Sequence, residues 1–139
     1  MTRLIAVTED VETCRALRRA VFIEEQHISE ADEWDDLDAD ALHLLARENG
    51  LPVGTARIFI EGDTGKIGRV CVLATQRGSG LGRDLMEHAL DVLRKRDVKI
   101  AKLGAQLPVL EFYRALGFEA EGPIYDDAGI PHRDMTRAL

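Results

Sequence analysis

Two cysteines, four prolines and one tryptophan are all that the 139 residues hold of these types, and aromatics make up only 5% of the chain. Cys14 and Cys71 fall in separate expected elements and lack the paired spacing of a metal knuckle, so they read as small buried hydrophobes. A chain of this length needs no disulfide to close its core, and a reducing compartment is expected. No apolar run reaches membrane-span length, and no apolar signal core follows the N-terminus. Those absences point to a soluble, cytoplasmic protein. Positive charge is also short. The 18 Lys and Arg residues stand against 25 Asp and Glu, for a net charge of −7. That excludes binding nucleic acid by phosphate neutralisation and argues against an anionic membrane as partner. Repeats, low-complexity tracts and linkers are absent too, so one domain over residues 1–139 is expected.

What is present reads as alternating strands and helices. Leu4–Val7 is a short first strand, and Thr8 or Asp10 can cap the helix that follows. Val11, Ala16, Leu17, Ala20, Val21 and Ile23 give that helix an apolar stripe, which fades near 26–28. Ala41–Arg47, Val53–Ile60 and Lys66–Leu73 form a meander, with Glu48-Asn49-Gly50 as a hairpin turn. Gly80–Arg96 is a strongly amphipathic helix with Leu81, Leu85, Ala89, Val92 and Leu93 on one face. Val98–Leu103 is the next strand, and Val109–Leu116 a short helix stopped at Gly117. Short strands at Phe118–Ala120 and Arg133–Thr136 close the chain. The order β-α-β-β-β-α-β-α-β-β predicts an α/β (α+β) protein with a mixed sheet, because a meander feeds one strand–helix–strand crossover.

The chemistry concentrates in Val70-Cys71-Val72-Leu73-Ala74-Thr75-Gln76-Arg77-Gly78-Ser79-Gly80-Leu81-Gly82. A β-rich run ends, glycines follow at every second position, and the long helix begins. Glycine lets main-chain N–H groups turn inward with no Cβ in the way. The helix N-terminus adds unpaired donors and partial positive charge, which together make an anion cradle suited to a pyrophosphate. Arg77 and Arg83 stand beside it. A Walker-type loop would end Gly-Lys-Ser/Thr, and this one ends Gly80-Leu81-Gly82-Arg83. A dinucleotide fingerprint wants a third glycine where Arg83 stands and a repeated βαβ array, of which this chain has one crossover. A glycine-rich turn with no ligand is the remaining alternative.

Arg77-x-x-Gly80-x-Gly82 resembles the pyrophosphate motif of the GCN5-related N-acetyltransferases (GNAT). Phe112-Tyr113-x-x-Leu116-Gly117-Phe118, after the next strand, resembles that family's second motif. The two occur in the family's order, and the resemblance extends over nearly the whole chain. Arg19-x-Val21-Phe22-Ile23-x-Glu25-Gln26, Ala105-Gln106 and Gly129-Ile130-x-His132 are similar to an ElaA/YjcF-like subgroup.

The resemblance implies a GNAT-like acyl-CoA N-acyltransferase fold and an acetyl-CoA cosubstrate, with no metal. The strand before the glycine loop would splay from the strand after the helix, and the pantetheine arm would lie between them on main-chain groups of Val70, Cys71 and Val72. The pyrophosphate would rest on the N–H groups of Arg77, Gly78, Ser79, Gly80, Leu81 and Gly82. Reaction would be direct attack of an amine on the thioester. A main-chain N–H near Val72 would polarise the carbonyl, and Tyr113 would serve the leaving thiolate. Packing on the helix face is the other reading of Tyr113. Phe112 belongs to the same motif. Many relatives carry Asn and Ala where this chain has Gln106 and Val109; Gln106 still offers an amide to the arm. A homodimer would suit the fold by analogy, and a CoA-binding module without catalysis is the alternative function.

The acceptor side is less defined. An amine must lose a proton before attack, and His43 and His132 are candidates, each with a plain structural alternative. Residues 24–40 carry nine carboxylates: Glu24, Glu25, Glu30, Asp32, Glu33, Asp35, Asp36, Asp38 and Asp40. They form either a solvated, flexible face or the entrance for a cationic amine, with Glu33 and Asp38 near His43 and with Trp34 ready to stack on the cation. The run lacks the glycine of a calcium loop.

Overall fold

The hairpin turn at Asn49 and Gly50, both at positive φ (51° and 84°), joins two strands in the middle of a seven-stranded sheet. A computed structural model describes residues 2–139. Its strands are β1 (Arg3–Thr8), β2 (Leu42–Glu48), β3 (Leu51–Glu61), β4 (Thr64–Val72), β5 (Ile100–Gln106), β6 (Glu119–Asp127) and β7 (Ile130–Ala138), in the spatial order β1-β2-β3-β4-β5-β7-β6. Only β4 and β5 run parallel. The other neighbours are antiparallel, so the mixed sheet and the single crossover are as the sequence implies.

The helices are α1 (Val11–Arg18), the one-turn α2 (Glu30–Glu33), the crossover helix α3 (Leu81–Arg94) and α4 (Leu110–Ala115). Asp10 caps α1, its side chain accepting from the Thr13 N–H at 3.2 Å. After Arg18 the helix widens into a π-helical turn over Arg19–Glu25, closed by the Gln26 N–H on the Val21 carbonyl. The buried stripe of this segment is Cys14, Leu17, Arg18, Val21 and Phe22, a regular helical spacing. Ala16, expected inside, is exposed. The arginine at the centre of that stripe hides it from an apolar count.

Two clusters hold the sheet. On one face α3 buries Leu81, Leu85, Met86, Ala89, Leu90, Val92 and Leu93 against Leu44, Ile58, Ile67 and Leu103, each large side chain contributing about 1.5–3 kcal/mol. On the other face Cys14, Leu17, Val21 and Phe22 pack on Leu45 and Cys71. A Cβ on Gly65 would overlap the Leu93 side chain, so α3 lies tight against the start of β4. The closing hairpin is longer than expected, with nine residues in each arm. β6 is an edge strand and largely exposed, so it carries no apolar alternation, and pairing with β7 forms it. No helix among the described residues is long and apolar enough to cross a membrane.

Candidate active site

β4 and β5 pair at Thr64↔Ile100, Gly65↔Ala101 and Lys66↔Lys102, and nowhere beyond. Past Lys66 the two strands diverge into a V. A bulge in β4 lies within the divergent stretch: Thr55 faces Cys71 and Arg57 faces Gly68, so Ala56 opposes both Arg69 and Val70, with Arg69 at φ 49°. β3 holds the far edge of β4, where the Leu73 N–H donates to the Val53 carbonyl at 2.9 Å. Since main-chain donors alternate in direction along a strand, the Val72 N–H points into the V.

The glycine loop stands at the mouth of the gap. Gly78 and Gly80 adopt φ of 80° and 84°, and Gly80 is the N-cap of α3. No hydrogen-bond acceptor among the described residues takes the N–H of Gly78, Gly80, Leu81 or Gly82. Two expected donors are already spent: the Arg77 N–H closes a turn on the Ala74 carbonyl at 3.3 Å, and Ser79 reaches the Gln76 carbonyl at 3.4 Å. The cradle is therefore four donors, narrower than the six that the motif suggests. The Arg77 side chain pairs with Glu25 and donates from Nη2 to the Val72 carbonyl at 3.0 Å. Arg83 is exposed on the first turn of α3.

α4 supplies the opposite wall. Phe112 is 37% exposed, and its ring lies 3.5 Å from where a Gly82 Cβ would be, with Val72 Cγ2 at 3.9 Å from the same point. The missing side chain at Gly82 lets strand, helix and aromatic converge. Tyr113 packs edge-on between Phe112 and Phe118, at 5.0 and 6.0 Å between ring centres. Its hydroxyl makes no hydrogen bond among the described residues, yet it is not one of the wholly enclosed polar atoms. Burial pushes the phenol up to about 12. Tyr113 therefore keeps its proton through the neutral range, and its hydroxyl can donate a hydrogen bond.

On the α1 face, Gln106 ends β5 and donates to the Gln26 side chain at 3.0 Å. His132 is its partner in the β5–β7 register. His132 Nδ1 lies 2.7 Å from the Ile130 carbonyl. A carbonyl only accepts, so Nδ1 carries a proton, and in the neutral ring the lone pair is on Nε2.

Six of the nine carboxylates of the acidic run are exposed, as a solvated face would have them, while Glu33, Asp35 and Asp38 turn inward. Glu33 is 2% exposed and Arg18 1%. Glu33 Oε2 accepts from Arg18 Nε and Arg69 Nε, each at 3.0 Å. Asp38 accepts from Arg18 at 2.8 Å and Arg57 at 3.0 Å, and Asp35 takes a two-pronged grip from Arg57 at 2.7 and 2.8 Å. Trp34 does stack on cations, but they are the chain's own Arg15, Arg18 and Arg19, at 4.6, 5.3 and 5.6 Å. His43 is buried and its Nε2 meets the Asp38 carbonyl at 2.9 Å. Glu33, Trp34, Asp38 and His43 are thus committed to a lattice that ties the 30–40 segment to α1, β3 and β4. Glu25, Gln26, Arg69 and Tyr125 reach the region without having been singled out as site side chains. An arginine in a strand and a tyrosine in an exposed hairpin carry no periodic signal.

A family model described as "Acetyltransferase (GNAT) family" matches residues 11–118. The chain belongs to this family. Protein ElaA of Escherichia coli (strain K12) is 37% identical over 128 residues, covering 88% of this chain and 84% of ElaA. YjcF of Bacillus subtilis (strain 168), named an N-acetyltransferase, is 29% identical over 139 residues, covering 99% of each. Among solved structures, an acyl-CoA N-acyltransferase from Pseudomonas aeruginosa superposes with a TM-score of 0.85 at 31% identity, covering 99% of both chains. The chain is thus a GNAT acyltransferase, and the V between β4 and β5 is its candidate active site.

Proposed function

We propose that residues 1–139 work as one GNAT domain that transfers an acetyl group from acetyl-CoA to a primary amine of a small molecule or peptide, by direct attack. One observation carries this reading: the unpaired edges of β4 and β5 open onto four free N–H groups at the start of α3. That pairs a slot for an extended, amide-bearing arm with a cradle for a pyrophosphate.

Each residue then has a physical task. Gly78, Gly80, Leu81 and Gly82 hold the pyrophosphate, with Arg83 adding charge beside them. Main-chain groups of Val70, Cys71 and Val72 hold the pantetheine arm, and Phe112 walls it. The Val72 N–H steadies the oxyanion as the amine attacks. His132 Nε2 takes the amine's proton. Tyr113 donates to the leaving thiolate. A thiolate whose conjugate thiol has an ordinary pKa near ~8.5 is too weak a base to strip a phenol near 12, so this contact lowers the thiolate's energy without consuming the tyrosine's proton. Gln106 reaches the arm after release from Gln26.

The test is thermal unfolding with acetyl-CoA, free CoA, NAD and ATP in parallel. A ligand at a hundred times its Kd stabilises by about 2.7 kcal/mol, a rise of several degrees. Acetyl-CoA and CoA raise the midpoint under this reading, and an amine screen for thiol release follows. A rise with NAD or ATP instead overturns it.

A further inference from the structure

The β6–β7 hairpin holds a polar arrangement that the proposed reaction does not yet use. Tyr125 stands directly across from His132 in the register of the two strands. The rings are stacked, with centres 5.9 Å apart and planes at 24°, the offset geometry that aromatic pairs prefer. The Tyr125 hydroxyl reaches diagonally over β7 and donates to Asp134 Oδ1 at 2.8 Å. Lys102 Nζ lies 3.8 Å from the other oxygen of that carboxylate. The hydroxyl ends over Gly104, the partner of Asp134 on β5. A Cβ on Gly104 would overlap it outright.

An exposed edge hairpin gives a side chain little reason to hold one position. Tyr125 nevertheless is fixed at both ends, by the imidazole under its ring and by Asp134 at its tip. The imidazole needs two constraints to offer a lone pair in a fixed direction. The Ile130 carbonyl sets which nitrogen is protonated, and something must set the plane of the ring. Tyr125 is the side chain stacked on that ring.

We propose that Tyr125 is a positioning residue that fixes the His132 ring with Nε2 free for the acceptor's proton, and that Gly104 lacks a side chain so that Tyr125 can take this place. The inference rests on the reading of His132 as the base, and the test separates the two.

The first readout needs no acceptor: nitrogen-15 spectra of the His132 imidazole in the full chain, taken above its titration. The wild type shows the Nδ1–H tautomer. Tyr125→Leu removes the stack and gives a mixture of tautomers. Gly104→Ala expels the hydroxyl and does the same. Adding Tyr125→Phe to Gly104→Ala removes the overlapping oxygen and restores the single tautomer. Wild-type spectra in both Tyr125→Leu and Gly104→Ala overturn the proposal, as does a failure of Phe to rescue Gly104→Ala. The second readout is turnover with an amine at saturating acetyl-CoA. Tyr125→Leu lowers kcat about tenfold and leaves the KM for acetyl-CoA unchanged. A changed tautomer with unchanged kcat keeps Tyr125 as the positioning residue and overturns the role of His132 instead.

Discussion

Arg77 sits on the Val72 carbonyl, its Nη2 donating at 3.0 Å, while Nη1 and Nη2 both donate to the Glu25 carboxylate. That carbonyl lies at the tip of β4, on the strand that would receive the pantetheine amides. The cation thus occupies a position that the proposed arm would need, and the Glu25 carboxylate, held below its usual range by Arg77, keeps it there. Glu25 also ends the π-helical turn after α1, so the contact joins that turn to the glycine loop.

Removing Glu25 therefore releases Arg77 toward incoming phosphate. Glu25→Gln is expected to tighten CoA binding by about two- to fivefold, the scale of an exposed ion pair, and to steepen its dependence on salt, because the freed guanidinium adds a screened contact with phosphate. Calorimetric titration at two ionic strengths checks this. Weaker binding in Glu25→Gln would mean that the pair holds Arg77 ready for the ligand.

Gly80 separates strain from charge in the cradle. At φ 84° with nothing within 4 Å of an added Cβ, a side chain costs about 1–2 kcal/mol of backbone strain and meets no obstacle. Gly80→Ala should fold and still respond to CoA. Gly80→Asp should fold equally and lose the CoA-induced rise in unfolding midpoint, because a carboxylate among the free N–H groups repels the pyrophosphate and competes for its donors. If Gly80→Asp responds as the wild type does, the phosphates bind elsewhere.

The order of elements along the chain, the crossover and the glycine-rich loop before α3 were legible because each is local. Strand runs, turn dipeptides and the α3 stripe are written in adjacent residues. Glu33 was not legible. Its partners Arg18 and Arg69 lie fifteen residues before it and thirty-six after it, and only the fold brings them together. A run of nine carboxylates looks solvated when read alone. The π-helical turn had no signal either, since Arg18 stands where a periodic count wants a leucine. Tyr125 and His132 meet through the pairing of an edge strand with no apolar pattern of its own.

The lattice around Glu33 makes a stability prediction with a sign. Breaking a buried pair by removing one partner costs about 3–5 kcal/mol, so Glu33→Gln should lower the urea midpoint sharply at neutral pH. Asp35 is held far below the usual carboxylate range, first by its hydrogen bonds from Arg57. Burial pushes Asp38 up, but the hydrogen bonds from Arg18 and Arg57 outweigh it and the net direction is down. A depressed carboxylate stabilises the fold above its unfolded pKa, near ~3.9, and the stabilisation is lost as pH falls below that value. Wild type and Asp35→Asn should thus differ in urea midpoint at pH 7, and the difference should begin to shrink below pH ~3.9 and keep shrinking as pH falls toward the much lower folded value. A difference that stays constant with pH would show that the Asp35 charge is not what the lattice depends on.

Tyr113→Phe distinguishes a packed aromatic from a donor. The Tyr113 hydroxyl has no hydrogen-bond partner among the described residues, so deleting it should leave the unfolding midpoint unchanged or slightly raised. The ring, packed between Phe112 and Phe118, remains. CoA affinity should hold, because the proposed contacts with the arm come from β4, Phe112 and Gln106 and not from the Tyr113 hydroxyl. Only the departure of the thiolate loses a donor, and loss of one such hydrogen bond lowers kcat by about ten- to a hundredfold. The pH profile offers a second check. With the phenol pushed up to about 12 by burial, Tyr113 stays protonated through the working range, so turnover should show no loss near pH ~10 that disappears in the Phe variant. A stable Tyr113→Phe protein with full turnover on a true acceptor would leave Tyr113 as packing alone.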